Sequence, residues 1–368
     1  MHIMKIEDIL MNRVDLFACI LSASSSLSIA SQPSYLIYEV PGLPAEAVSS
    51  SIATVMDDGR CFGVWYDDQG DQHQFVWCLE ATSEYPAGYS QVFVDFSVEL
   101  GDVNNDEHWA RQYWGWSAST QQAIPHAALW RPGSTRFTLG SLGGDMSASR
   151  GIADDDTVVG WGKLSTVDAH GNQHTRGFIW DDTNGMQAVA PIAGFDHLSL
   201  NDTHPDMLIT VGTAWNHAAG VWAPKGDEVS YNDSTGVYLD QNGVSVEFSG
   251  LLPNGSPWSV TGANSVNSHR WVGGSAQGSD GMLHAVLLVP NKADKDQNGS
   301  IDANDLSAFL NGYTNTLSIA DQNDDGTINI LDFTLFIESY QAGTSTGTTG
   351  SVSGGSMSAR RVRFQSTV

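Results

Sequence analysis

One phrase recurs through this 368-residue chain about every fifty residues, and it limits the possible folds more than any other feature. Its fullest copy reads Phe137-Thr-Leu-Gly-Ser-Leu-Gly-Gly-Asp-Met-Ser-Ala-Ser, then Gly151-Ile-Ala-Asp-Asp-Asp-Thr-Val-Val-Gly160, then His174 and Phe178-Ile-Trp180. An earlier copy carries Val40-Pro-Gly-Leu-Pro44, Val55-Met-Asp-Asp-Gly-Arg-Cys-Phe-Gly63 and His73-Gln-Phe-Val-Trp77. Looser copies hold Tyr113-Trp-Gly115 with His126-Ala-Ala-Leu-Trp130, Thr210-Val-Gly212 with His217-Ala-Ala-Gly-Val-Trp222, and Trp271-Val-Gly273 with His284-Ala-Val-Leu-Leu. Gly63, Gly115, Gly160, Gly212 and Gly273 therefore mark five units.

Short alternating or apolar runs inside each unit are separated by turn dipeptides such as Asp58-Gly59, Gln69-Gly70, Pro132-Gly133 and Asn184-Gly185, and no window keeps a 3.6-residue period. That predicts antiparallel β structure throughout. Three or four strands per unit fit a blade of a β-propeller with five or six blades, whose radial closure also removes exposed strand edges; stacked β-sandwiches are the competing arrangement. The wording of the units resembles the bacterial extracellular repeats of the HAF family over residues 35–289. The resemblance implies a fold and no activity. A side chain present in every unit is explained by what every unit must do, so the repeated His and Trp, which a strand places on one face at i and i+4, are predicted to pack. Asp57-Asp58 and Asp154-Asp155-Asp156 fall where the phrase turns and read as turn residues.

After Pro290 the character changes to two copies of a twelve-residue calcium loop. The first offers Asp294, Asp296, Asn298, Ser300, Asp302 and Asp305; the second offers Asp321, Asn323, Asp325, Thr327, Asn329 and Asp332. Oxygen side chains stand at positions 1, 3, 5, 9 and 12, a backbone carbonyl serves position 7, and Gly299 and Gly326 permit the sharp turn at position 6. Carboxylates crowded in this way repel one another until a hard divalent cation joins them. Each loop precedes a helical stripe: Leu306, Phe309, Leu310 and Tyr313, then Phe333, Phe336, Ile337 and Tyr340. Leu287-Leu-Val-Pro290 leaves no room for an entering helix, so the unit is loop-helix twice. With Asp at position 12, residues 290–342 resemble a type I dockerin, an EF-hand-like module. The resemblance implies two bound Ca2+ ions and tethering to a cohesin-like or other extracellular protein. At loop positions 10 and 11, where cellulosomal dockerins often carry Ser-Thr for cohesin recognition, this chain has Ala303-Asn304 and Ile330-Leu331.

Charge removes other partners. With 42 acidic against 16 basic side chains the formal charge is −26, which disfavours nucleic acid and anionic membrane surfaces. The stretch Leu16 to Ala30, ending Ser28-Ile29-Ala30, reads as a secretory signal over residues 1–30, and no other window reaches the roughly 20 apolar residues of a membrane span. The expected protein is thus secreted, with residues 31–289 forming the β-repeat domain and 343–368 a Gly/Ser/Thr linker ending in the basic Arg360-Arg361-Val-Arg363. Cys61 and Cys78 flank a hairpin symmetrically and are either bridged or two buried thiols. Among unrepeated residues, Trp109, Tyr113, Trp114 and Trp116 beside Asn104, Asn105 and Asp106 form the densest patch, suited to a sugar face, with polysaccharide as partner. No Gly-x-Ser-x-Gly turn, His-Glu-x-x-His helix or phosphate-binding glycine loop is present. The sequence reading is a non-enzymatic tethered display or binding protein; the alternative is a carbohydrate-binding or glycoside-hydrolase component with its site on the propeller.

Overall fold

The computed structural model describes residues 34–80, 87–88, 90–93, 101–117, 121–134, 136–169, 171–216, 234–240, 243–253, 255–295, 301–322 and 327–344. The expected signal segment and C-terminal tail lie outside them, apart from the tail's first two residues, Gly343 and Thr344. Among the described residues the chain is mainly β, with several sheets and two α-helices. It divides into two compact units: Tyr35–Asn291, and Ser34 with Lys292–Gln341.

In the larger unit, β1 (Tyr35–Glu39) precedes five antiparallel meanders. Meander I runs β2 (Ser49–Val55), β3 (Arg60–Tyr66), β4 (Gln72–Cys78) and β5 (Ser90–Phe93). Meander II is β6 (Gly101–Val103), β7 (Trp109–Ser117), β8 (Gln122–Trp130) and β9 (Phe137–Gly140). Meander III is β10 (Ser147–Ile152), β11 (Val158–Val167), β12 (Gln173–Asp181) and β13 (Gly185–Val189). Meander IV is β14 (His197–Thr203), β15 (Ile209–Trp215), β16 (Ser234–Asp240) and β17 (Ser245–Glu247). Meander V has only β18 (Ser259–Val266), β19 (Val272–Gln277) and β20 (Leu283–Pro290) of its own. Its fourth strand is β1, paired antiparallel to β20 from Tyr35↔Pro290 to Glu39↔Val286. One parallel bridge, Ser49↔Leu283, joins meanders I and V into a single sheet.

Apolar cores sit between successive meanders. Phe178 and Trp180 of III close on Ala110, Ala127 and Leu129 of II; Phe75 and Trp77 of I close on Ala285 and Leu287 of V. The residue after the repeated His explains part of the phrase. The N–H groups of Ala285, Ala127 and Thr175 donate across a seam to Ser50 Oγ (2.7 Å), Ser147 Oγ (3.0 Å) and His197 Nδ1 (3.1 Å) on the next first strand. A small residue lets the two backbones approach, and the neighbour satisfies a buried donor that would otherwise be stranded. Two of the His side chains serve their own hairpins: His73 stacks on Trp65 at 4.0 Å and faces Asp67 at 3.2 Å, and His126 stacks on Tyr113 at 5.1 Å. His174 instead reaches Asp196 O (3.3 Å), just ahead of the next first strand, and the His197 ring on it. His284 lies between Glu39 of β1 (2.9 Å) and Asp280 (3.1 Å).

The five turns from first to second strand share one backbone shape. Their fourth residue is left-handed in every case: Gly59, Glu107, Asp156, Met207 and Arg270, with φ from 55° to 84°. The repeated aspartates at these turns do more than bond locally. Asp57 Oδ1 accepts Ser268 N (2.8 Å) and Asp154 Oδ1 accepts Asn105 N (3.2 Å), each from the preceding meander.

Each of the five marker glycines lies on the second strand of its meander. A Cβ on Gly63, Gly160 or Gly212 would lie 2.0–2.4 Å from a first-strand carbonyl oxygen, that of Ser51, Ala148 or Ser199. Two meanders differ in which residue meets the first strand. In meander V the residue pressed against a first-strand carbonyl is Gly274, against Gly262 O, one position beyond Gly273. In meander II the corresponding residue is Arg111, opposite Gly101, and Gly115 lies farther along β7. Gly160→Ala is expected to cost about 2–4 kcal/mol, whereas Glu107→Gly, which relieves an exposed left-handed residue, should gain up to about 1 kcal/mol; denaturant unfolding of both variants checks the pair.

Candidate metal centre

In the smaller unit, α1 (Ala303–Thr314) and α2 (Ile330–Thr344) each follow a candidate loop, and a short 3-10 turn, Ser318–Ala320, precedes the second. The core is built twice at an interval of 27 residues: Ala293 and Ala320, Ile301 and Ile328, Leu306 and Phe333, Phe309 and Phe336, Tyr313 and Tyr340. Phe309 and Phe336 stack face to face, with centroids 3.9 Å apart and planes 3° from parallel. The predicted stripes therefore meet, except that Leu310 is exposed.

The position-12 aspartates repeat the same geometry. Asp305 Oδ1 accepts Lys295 N (2.6 Å) and Oδ2 accepts Asp302 N (2.8 Å). Asp332 Oδ1 accepts Gln322 N (2.8 Å) and Oδ2 accepts Asn329 N (2.8 Å). Both side chains are fully buried. At position 9 the side chain caps the helix: Asp302 Oδ1 accepts Asn304 N and Asn329 Oδ1 accepts Leu331 N. Asp294, buried at position 1, accepts Ser34 N at 2.9 Å. Asp321 is half-buried and Thr327 exposed. Asp296, Asn298, Ser300, Asn323 and Asp325 lie outside the described residues, and among those described no group of three or more His, Cys, Asp or Glu side chains converges as a metal cluster. The donor set is nonetheless all oxygen. Each position-12 carboxylate oxygen accepts a backbone bond of its own loop, which orients it.

The aromatic patch divides between the two faces of β7. Trp114 and Trp116 share one face and are 63% and 72% exposed; Trp109 and Tyr113 lie on the other. Trp109 stands opposite Trp130, with the Arg111 guanidinium 4.9 Å from the Trp109 ring, and the three line a shallow cavity of about 180 Å³. Arg136 covers the Tyr113 ring at 3.6 Å. The amides expected beside the rings are spent elsewhere: Asn104 donates to Ala153 O and Asp156 Oδ1, and Asn105 to Asp154 Oδ2, across the seam to meander III. Asp156 also meets His108 (2.6 Å) and Arg131 (2.9 Å); burial opposes its charge, but these bonds hold its carboxyl below the usual range.

Sequence reasoning missed a pair of half-buried carboxylates, Asp102 on β6 and Asp202 on β14. Asp102 Oδ2 accepts Ile152 N (3.0 Å) and Asp202 Oδ2 accepts Val266 N (2.9 Å), each from the next meander. Burial pushes the Asp102 carboxyl up to about 6, and burial together with the neighbouring Asp102 charge raises Asp202 well above an ordinary carboxyl. Each stands two residues before the first residue of a shared turn, Asn104 or His204, so aligning the turns would have exposed them.

Comparison with known proteins adds little. No family model and no curated protein matches the chain. Among solved structures, TolB from Acinetobacter baumannii is similar at 11% identity with a TM-score of 0.28, over 69% of this chain and 63% of that one. Hydrazine synthase from Kuenenia stuttgartiensis is similar at 11% identity with a TM-score of 0.28, over 66% of this chain and 80% of that one.

Cys61 and Cys78 are both buried thiols. The β3–β4 register pairs Cys78 with Arg60 and Cys61 with Trp77, so the two cysteines lie one position out of step on opposite faces, and no bridge forms. Burial raises both thiols above their usual value. Under native conditions both should resist alkylation, and both should react once unfolded without reductant; peptide mapping reads the outcome, and a bridged peptide would contradict the register.

Proposed function

We propose that this is a secreted, non-enzymatic calcium-binding protein whose five meanders close as a propeller-like display or binding domain, with a dockerin-like module attaching it to an extracellular partner. The observation that carries the reading is the doubled loop-helix unit, in which Asp305 and Asp332 organise their loops through the same pair of backbone bonds. Two Ca2+ ions would be held by Asp294, Asp296, Asn298, Asp302 and Asp305 and by Asp321, Asn323, Asp325, Asn329 and Asp332, with the residue 300 and 327 carbonyls completing each set. A cation there neutralises the loop carboxylates and orders both helix starts.

Those helix starts are where a partner would bind. Ile330 and Leu331 are 71% and 49% exposed, and Ala303 and Asn304 are exposed as well. An apolar pair held in water at a rigid helix start suits a protein partner with an apolar docking surface, in place of the hydroxyl recognition of cellulosomal modules. A carbohydrate-binding role for the larger unit is the second reading, favoured by the exposed rings of Trp109, Trp114 and Trp116.

Calorimetry on chelator-stripped protein should give two calcium-binding events with a rise in helical circular dichroism. Asp305→Asn, which removes charge from one loop only, should weaken one event about 10–100-fold and spare the other. Absence of heat and of any spectral change would defeat the calcium reading. Glycan-array binding that is lost in a Trp114→Ala/Trp116→Ala variant would favour the second reading.

A further inference from the structure

At three seams a third-strand N–H bonds a side chain on the next first strand, and at one of them the acceptor differs in kind. Ser50, Ser147 and Ser149 accept through hydroxyls, which hold no charge at any ordinary pH. His197, the first residue of β14, accepts Thr175 N through Nδ1 at 3.1 Å. A backbone N–H can only donate, so Nδ1 carries no proton. The single proton of the ring therefore sits on Nε2, which lies 3.3 Å from Asp168 Oδ2. His197, the Asp168 carboxyl and Thr175 are all buried.

The seam bond holds the ring neutral. A proton added at Nδ1 would set one N–H against another, and turning the ring brings no relief, because a charged imidazole has two donors and no acceptor. The ring is also fixed on its faces, stacked on Trp215 of β15 with centroids 5.4 Å apart, and with His174 tilted against it at 5.7 Å. Among the described residues the charged and titratable groups around it come from three elements. From β11 and the turn after it, Lys163 Nζ donates to Thr175 Oγ1 at 2.9 Å, near the Asp145 and Asp168 charges, and Asp168 Oδ1 accepts Asn172 N at 2.9 Å. From β12, His174 Nδ1 lies 3.3 Å from Asp196 O, and Arg176 donates to the same carbonyl. Asp196 itself immediately precedes β14, and β15 adds no titratable side chain. Asp168 favours a charged ring and the Thr175 N–H opposes one. Only the second is part of the seam.

We propose that His197 is a proton-sensitive latch between meanders III and IV: neutral, it closes the seam, and protonation in mild acid removes the acceptor of the Thr175 N–H and loosens it. The sign follows from linkage. Below about 6.5 the unfolded chain takes up a proton at this position, whereas the folded ring takes one only by giving up the bond. Stability conferred by the latch is therefore present above that value and lost as the pH falls below it. Seams closed by serine have no such dependence.

Denaturant unfolding of the full chain and of His197→Ser, which carries the acceptor of the other seams, from pH 8 to pH 5 tests this. Relative to the variant, the folding constant of the parent should hold steady down to about pH 7 and then fall by up to about tenfold per pH unit, the most that one proton taken up on unfolding allows. The same comparison in an Asp168→Asn background, where Nε2 keeps an acceptor without the charge, should show the same fall. A difference that stays constant with pH, or one that vanishes with Asp168→Asn, would overturn the proposal. If a variant fails to fold, nitrogen-15 NMR and amide exchange of the parent decide it. A His197 ring protonated on Nδ1 while the Thr175 amide stays protected refutes the latch, and mutual exclusion of the two states supports it.

Discussion

The larger unit depends on one constraint: a backbone N–H buried at a seam between meanders must find its acceptor on the neighbouring meander. Within a four-stranded sheet the ladder satisfies most donors, but third-strand N–H groups such as those of Ala127, Thr175 and Ala285 meet side chains of the next first strand instead. That requirement explains three features at once. The donor residue is mostly small, the acceptor carries a hydroxyl or imidazole, and the second-strand residue behind it is a glycine wherever a carbonyl presses in. The repeated phrase is the sequence record of this contact.

Such a record is legible in part. Strand identity, antiparallel order and the turn glycines followed from alternation and dipeptide signals, because both express local backbone geometry. What stayed hidden was anything set by partners far along the chain. β1 reads as an ordinary apolar run, yet it pairs with β20 some 250 residues away, and only the missing fourth strand of meander V explains it. Cys61 and Cys78 read as opposed because symmetry about Gln69-Gly70 suggested a two-residue turn. The observed hairpin carries five residues between Tyr66 and Gln72, which shifts the register by one and turns the sulfurs apart. Asp102 and Asp202 escaped notice among 42 acidic residues because the groups they hold, Ile152 N and Val266 N, lie 50 and 64 residues further along the chain.

The smaller unit is legible for a different reason. Its repeat is short, its core recurs at an interval of 27 residues, and helix caps and apolar stripes are written within each copy. Even there, contact geometry added what spacing could not. Stripe periodicity placed Leu310 in the core, but the stacking of Phe309 on Phe336 sets the helix rotation and leaves Leu310 in water. Position 9, expected only as a ligand, is also the N-cap of its helix, so ordering the loop and starting the helix are one event.

Meander II departs from the repeat in its packing. In I and III the repeated Trp, Trp77 or Trp180, faces a small residue, Cys61 or Val158, and is almost wholly buried. In II the same Trp faces a second indole, Trp109, and the glycine beside it becomes Arg111, opposite Gly101 and Ala128. Two bulky rings with a guanidinium need more room than Cys and Gly, and they line a shallow cavity beside a strand pair whose ladder stays continuous.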